Sequence, residues 1–183
     1  MLKNLVPNFK VLLPLDLEED EASSSKASVK ETVIRRLVDR VRIKSPNCRE
    51  ELIYTLLSRE AKGSTGLGRS IAIPHARTEC IEKPVIVLGV SNKGIDWEAQ
   101  DSKDVFMFFL ILVPLEQSDL YLRILTRLTS LVRQPGFVEA LQGCRSEEDA
   151  LDLIHDFELK LKLKVQTSPS KGNDGGQSTP QQF

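Results

Sequence analysis

A chain of 183 residues with 40% apolar side chains is long enough for one domain with a substantial core. Its 25 Lys and Arg nearly balance 26 Asp and Glu, and the formal charge of −1 excludes bulk attraction to nucleic acid or to an anionic membrane surface. Cys48, Cys80 and Cys144 are far apart in sequence, and with His75 and His155 as the two histidines there is neither a C-x-x-C pair nor zinc-site spacing.

The cysteines read as reduced structural thiols, and no metal or cofactor is expected. At the N-terminus, Lys3, Pro7, Lys10 and Pro14 break each apolar run before it reaches signal-peptide length. No later segment offers the roughly 18 uninterrupted apolar residues of a membrane span. A soluble, cytoplasmic protein is expected. Residues 1–27 read as a leading segment, with a short strand at Val11-Leu12-Leu13 and a solvated acidic loop at Glu18–Glu21. Ser28 opens a helix, with Glu31 in capping-box spacing and Val29, Val33, Leu37, Val38 and Val41 on one face. Arg35, Arg36, Asp39 and Arg42 form its solvated side. Ser45-Pro46 begins a second helix that runs to about Glu60, with Leu52, Ile53, Leu56 and Leu57 inward.

The next stretch is Gly63-Ser-Thr-Gly-Leu-Gly-Arg-Ser-Ile-Ala-Ile-Pro-His-Ala-Arg77. A glycine- and hydroxyl-rich loop enters the short strand Ile71-Ala72-Ile73, a proline stops it, and His75 follows. Gly63, Gly66 and Gly68 permit backbone turns that a Cβ resists. Ser64, Thr65 and Ser70 bring hydroxyls, and Arg69 and Arg77 bring positive charge. A lone loop histidine is ordinarily a surface residue without a role, and glycines also serve ordinary turns. Together, however, these residues are the parts needed to hold a dianion beside one imidazole.

Two β-branched runs follow, Pro84–Val90 and Val105–Val113, apolar on both faces as central strands are. Between them Ser91–Asp104 is a polar loop with a turn at Asn92-Lys-Gly94, and Trp97 is its packing anchor. A helix is expected over Glu116–Arg133, where Leu122, Leu125, Leu128 and Val132 fall near helical spacing, and it ends at Pro135-Gly136. A short helix over Phe137–Leu141 and a last one opening at Ser146-Glu-Glu-Asp149 complete the chain. His155 reads as a near-surface residue of that helix. The expected organisation is a leading segment over 1–27, a domain over 28–165 and a flexible Ser/Gly/Pro/Gln-rich tail over 166–183. Helices before and after a cluster of strands predict a three-layer α/β/α domain whose sheet need not be all parallel.

The run Arg59-Glu-Ala-Lys-Gly-Ser-Thr-Gly-Leu-Gly-Arg-Ser-Ile-Ala-Ile-Pro-His75 resembles the active-site signature of fructose/mannitol-type enzyme IIA, a component of the bacterial phosphoenolpyruvate-dependent phosphotransferase system. Its nitrogen-regulatory members share that signature. Lys83-Pro84, Gly94-Ile-Asp96, the Leu-rich helix, Pro135-Gly-Phe137 and Ser146-Glu-Glu148 extend the resemblance over residues 10 to 157. It implies a three-layer α/β/α sandwich with a mixed sheet, and a cytoplasmic phosphotransferase component that needs no cofactor. His75 would take a phosphoryl group from the phosphohistidine of HPr or of its nitrogen-branch counterpart. A regulatory member then changes which target proteins it binds, whereas a sugar-specific member passes the phosphate to a IIB cysteine.

The resemblance also gives roles to the neighbours. Arg59 matches the arginine that stabilises the phosphate, and it is equally a cation suited to a helix C-terminus. Backbone amides around Gly66 and Gly68 and the hydroxyls of Ser64 and Thr65 are expected to bind phosphate oxygens. Tyr121 stands where the family usually has a second histidine. Its hydroxyl can donate to an oxygen but adds no charge, or it packs at the site's edge. That replacement also leaves room for an interaction module that does not transfer phosphate.

Overall fold

The computed structural model describes residues 2, 6 and 8–167, the last four through their backbone. β1 (Asn8–Leu12) leads through a short helix α1 (Glu19–Ala22) to α2 (Lys26–Val38) and α3 (Asn47–Ala61). The strands β2 (Gly66–Gly68), β3 (Ile71–Ala72), β4 (His75–Thr78), β5 (Val85–Ile95) and β6 (Val105–Pro114) follow. The chain then forms α4 (Ser118–Val132), α5 (Phe137–Gln142) and α6 (Glu147–Thr167). The first two residues of the expected tail continue α6, and residues 168–183 lie outside the described part.

The six strands form one mixed sheet in the order β1-β5-β6-β3-β2, with β4 also paired to β6. β1 runs parallel to β5, and β3 and β4 run parallel to β6, whereas β5–β6 and β2–β3 are antiparallel. Side chains of a strand alternate between faces, and β5 and β6 are apolar on both. Val85, Val87, Phe108, Leu110 and Leu112 pack under α2 and α3. Ile86, Leu88, Met107, Phe109, Ile111 and Val113 pack against α4, α5 and α6. The sheet is thus the middle of three layers, as expected.

Local differences have local causes. The cap of α2 is Ser25, whose hydroxyl accepts from the Ser28 amide, so the helix starts earlier than Ser28. The acidic run coils into α1, where Glu21 pairs with Arg36. Arg35 joins Glu31 and Glu50, so both arginines tie elements together instead of only facing solvent. β5 passes straight through the expected turn at Asn92-Lys-Gly94. The register shifts there as in a bulge, and Asp16 accepts from the amides of Asn92 and Lys93. Trp97 is fully buried against Phe108, as a packing anchor should be. In α4 the inward set is Ile124, Leu128, Leu131 and Val132, while Leu122 points to solvent.

Gly89 of β5 lets α2 lie close on the sheet. A Cβ there would meet Leu15 Cδ2 at 2.5 Å and Leu37 Cδ2 at 2.8 Å. Gly89→Ala is expected to lower stability by about 1–3 kcal/mol through overpacking, read from the urea unfolding midpoint at unchanged m-value.

Candidate functional site

β3 and β4 are one strand with an interruption. Ile71 pairs with Met107 and Ala72 with Phe108, and after the break His75 pairs with Ile111 and Ala76 with Leu112. The pairing offset is unchanged across Ile73-Pro74, and Ile111 still donates its amide to the Pro74 carbonyl. Because Ile111 faces α4–α6, its partner His75 does too, and Arg77 lies two residues along on the same face. β4 pairs with β6 alone, so its other edge is open to the end of α3, which packs against it.

His75 is half-buried, and its Nδ1 lies 2.6 Å from the Ile73 carbonyl oxygen. A carbonyl cannot donate, so Nδ1 carries the proton and the bare nitrogen of the neutral ring is Nε2. Tyr121 of α4 stands beside it, with ring centroids 5.7 Å apart and planes tilted by 50°. Burial pushes the His75 pKa below its usual 6.5. The Ile73 carbonyl works against this, and the positive charge of Arg59 adds to it. Burial likewise raises the Tyr121 phenol, against the opposing pull of Arg59 and Arg77. Both rings are therefore neutral at neutral pH, and the positive charge acting on them comes from the arginines.

Arg59 lies in the last turn of α3, and its Nη1 donates to the Gly63 carbonyl at 3.0 Å. That bond completes the helix end and fixes the stem of a guanidinium that acts on both His75 and Tyr121. Arg77 donates to the Ser118 hydroxyl in the first turn of α4, three residues before Tyr121. Arg69 goes elsewhere, reaching the Arg133 carbonyl at the other end of α4.

The residue after Arg59 organises the loop. Glu60 is buried, and its Oε1 accepts from Lys30 Nζ at 3.0 Å. Its Oε2 accepts from the Thr65 amide at 2.9 Å and the Thr65 hydroxyl at 2.6 Å. Thr65 Oγ1 in turn accepts from Trp97 Nε1 at 3.3 Å. The Ser64 hydroxyl donates to the Trp97 carbonyl at 2.9 Å and accepts from the Gly66 amide at 3.1 Å. Gly66–Gly68 is not an open loop but strand β2, hairpinned to β3 through Arg69-Ser70, both at positive φ. Asp101 fills the space beside Gly68 and accepts from the Arg69 amide.

The structure thus brings Arg59 and Tyr121 to His75. It turns the hydroxyls of Ser64 and Thr65 and the amide of Gly66, all expected to meet an anion, toward acceptors and donors of the protein itself. Gly68 has the positive φ that leads into the turn, and Gly66 leaves room for Ala99, which a Cβ there would meet at 2.8 Å. Sequence reading missed Glu60, although its signal was present: Leu52, Leu56 and Glu60 recur every four residues on the inward face of α3. Of the two arginines expected to bring positive charge, Arg77 lies on the face of His75, a two-residue step along the strand, whereas Arg69 does not. His155 is exposed on α6, as expected.

Residues 18–157 match the family described as the phosphoenolpyruvate-dependent sugar phosphotransferase system, EIIA 2, and the chain belongs to that family. It is 31% identical over 150 residues to the fructose-specific EIIA component of Haloferax volcanii, covering 81% of this chain and 96% of that protein. It is 25% identical over 130 residues to a nitrogen regulatory protein of Pseudomonas aeruginosa, covering 70% and 84%. Among solved structures, the nitrogen regulatory protein IIA-Ntr of Neisseria meningitidis superposes with a TM-score of 0.65 at 23% identity, covering 82% of this chain and 94% of that one.

Two outcomes follow from the geometry. A histidine NMR titration is expected to place the His75 midpoint below 6.5, and Arg59→Ala should raise it by removing an adjacent cation. A folded pKa below the unfolded one means that the stabilising contribution is whole above the unfolded pKa and is lost as pH falls through the folded one. Glu60→Ala should cost about 1–3 kcal/mol in chemical unfolding, because the buried Thr65 amide loses its acceptor while Lys30 keeps Glu98 as a partner.

Proposed function

We propose that the chain is a phosphocarrier whose acceptor atom is His75 Nε2. The observation that carries this reading is the Nδ1–Ile73 carbonyl bond, which leaves Nε2 bare beside Arg59 and Tyr121. In the transfer, the Nε2 lone pair attacks the phosphorus of a donor phosphohistidine in line with the bond to the donor nitrogen. The new P–N bond forms as the old one breaks, and the proton on Nδ1 stays against Ile73. The developing imidazolium on His75 is met by that carbonyl. Arg59 opposes the phosphoryl charge, and Tyr121 offers a hydroxyl to an equatorial oxygen. Arg77 adds a second cation at the α4 side. Ser64, Thr65, Gly66 and Gly68 contribute by holding the hairpin and the end of α3 in place.

The donor in this reading is HPr or its nitrogen-branch counterpart, in the cytoplasm. No helix among the described residues is long and apolar enough to cross a membrane, in keeping with a carrier that meets its partners in solution. Leu122 and Leu115 are exposed near Tyr121 and at the end of β6, apolar anchors of the kind that docking surfaces use. We take the output to be mainly regulatory, through target proteins that distinguish the phosphorylated form. The 31% identity to a fructose-specific EIIA component favours a second reading, delivery to a IIB cysteine during sugar uptake.

Incubation with phosphoenolpyruvate, enzyme I and each carrier, followed by intact-mass measurement, should add one acid-labile phosphate that is absent in His75→Ala. A chain that stays unmodified with every carrier is an interaction module instead. Onward movement of the label to a IIB cysteine selects the sugar-uptake reading. Arg59→Ala should reduce transfer about 10²-fold with the fold retained. Tyr121→His should accelerate it if a second imidazole is what the site lacks, and an unchanged rate would make Tyr121 a packing residue.

A further inference from the structure

Cys48 and Cys80, distant in sequence, meet in the fold. Their sulfurs and a carboxylate oxygen of Glu51 all lie within 4.8 Å of one another. Cys48 is in the first turn of α3 and half-buried, while Cys80 is buried just beyond β4. The Cys80 carbonyl accepts from the Lys44 amide at 3.0 Å, and the Cys80 amide donates to Thr78 Oγ1 at 3.1 Å. The Cys48 amide donates to the Ser45 carbonyl at 3.1 Å. Both cysteines are therefore braced by the same short segment before α3.

We propose that Cys48 and Cys80 form a thiol–disulfide exchange site, with Cys48 as the attacking sulfur, Cys80 as the resolving one, and a low-molecular-weight disulfide as the oxidant. The two thiols are unlike. Hydrogen bonds from Cys80 and then Ser45 draw the Cys48 pKa down, and the first turn of a 15-residue helix favours its thiolate. Burial pushes Cys80 up to about 11, so it keeps its proton. Glu51 raises both, which opposes two thiolates at once and favours stepwise chemistry. The Cys48 thiolate attacks one sulfur of the oxidant, the oxidant's S–S bond breaks, and one thiolate leaves. Cys80 then gives its proton to solvent, its sulfur attacks Cys48 Sγ, and the second small thiolate leaves. The protein loses two protons and two electrons and the oxidant is reduced to two thiols. Closure brings the sulfurs from within 4.8 Å of each other to about 2.0 Å.

The test is to incubate the full chain with oxidised glutathione and read intact mass and peptide maps. The expected product has lost two hydrogens, carries a Cys48–Cys80 link, leaves Cys144 open to alkylation, and returns to the starting mass with dithiothreitol. Cys80→Ser should stop at one glutathione on Cys48, and Cys48→Ser should yield neither product. The wild-type map stands even if a variant folds poorly. Glutathione that stays on Cys48 of the wild type, or a link to Cys144, overturns the proposal. So does a one-to-one zinc adduct in native mass spectrometry that Cys48→Ser abolishes, because the pair is then a metal site.

Discussion

Glu60 places one buried carboxylate where three segments meet: α2 through Lys30, the Ser64–Gly66 turn through Thr65, and, by way of the Thr65 hydroxyl, the loop that carries Trp97. A buried charge is costly unless paired and hydrogen-bonded, and here both oxygens are engaged. That requirement sets the geometry around it. The end of α3 cannot drift, so Arg59, one residue earlier, is held beside β4. The turn into β2 cannot reopen, so β3 enters the sheet in a fixed register, and His75 follows from that register.

The site is a division of labour between neutral and charged groups. As the proposed acceptor, His75 presents an uncharged nitrogen, and burial together with the nearby arginine keeps it so. Arg59 and Arg77 come from different elements, one past the open edge of β4 and one along β4 itself. Each has a second partner, Gly63 or Ser118, that limits where its guanidinium can go. In the proposed transfer, cations already tethered around a neutral ring suit a group that arrives with its own negative charge.

Much of this was legible in the sequence, and the failures are instructive. The β-branched runs of β5 and β6 and the periodicities of the helices gave the three layers, because burial on one or two faces leaves a direct imprint on residue type, whereas the cap of α2 was misplaced by three residues. The resemblance led to the expectation that Arg59 and Tyr121 lie near His75, and they meet there in the fold. The glycine stretch misled: turn residues that suit an anion nest suit a tight hairpin equally well, and only the positions of Glu60, Trp97 and Asp101 decide between them. Those partners are 5 to 33 residues away along the chain, beyond any local pattern. The meeting of Cys48 with Cys80 was hidden for the same reason.

The unchanged pairing offset across Ile73-Pro74 has an evolutionary consequence. A strand alternates faces with every residue, so gain or loss of one residue between Ala72 and His75 would turn the imidazole from α4 toward the core under α2 and α3. Besides the buried side chains of Ala72 and Ile73, the count of residues across the break is itself constrained. Length variation among descendants of this chain should therefore avoid this break and collect in places such as the α1 region, where no strand parity is at stake.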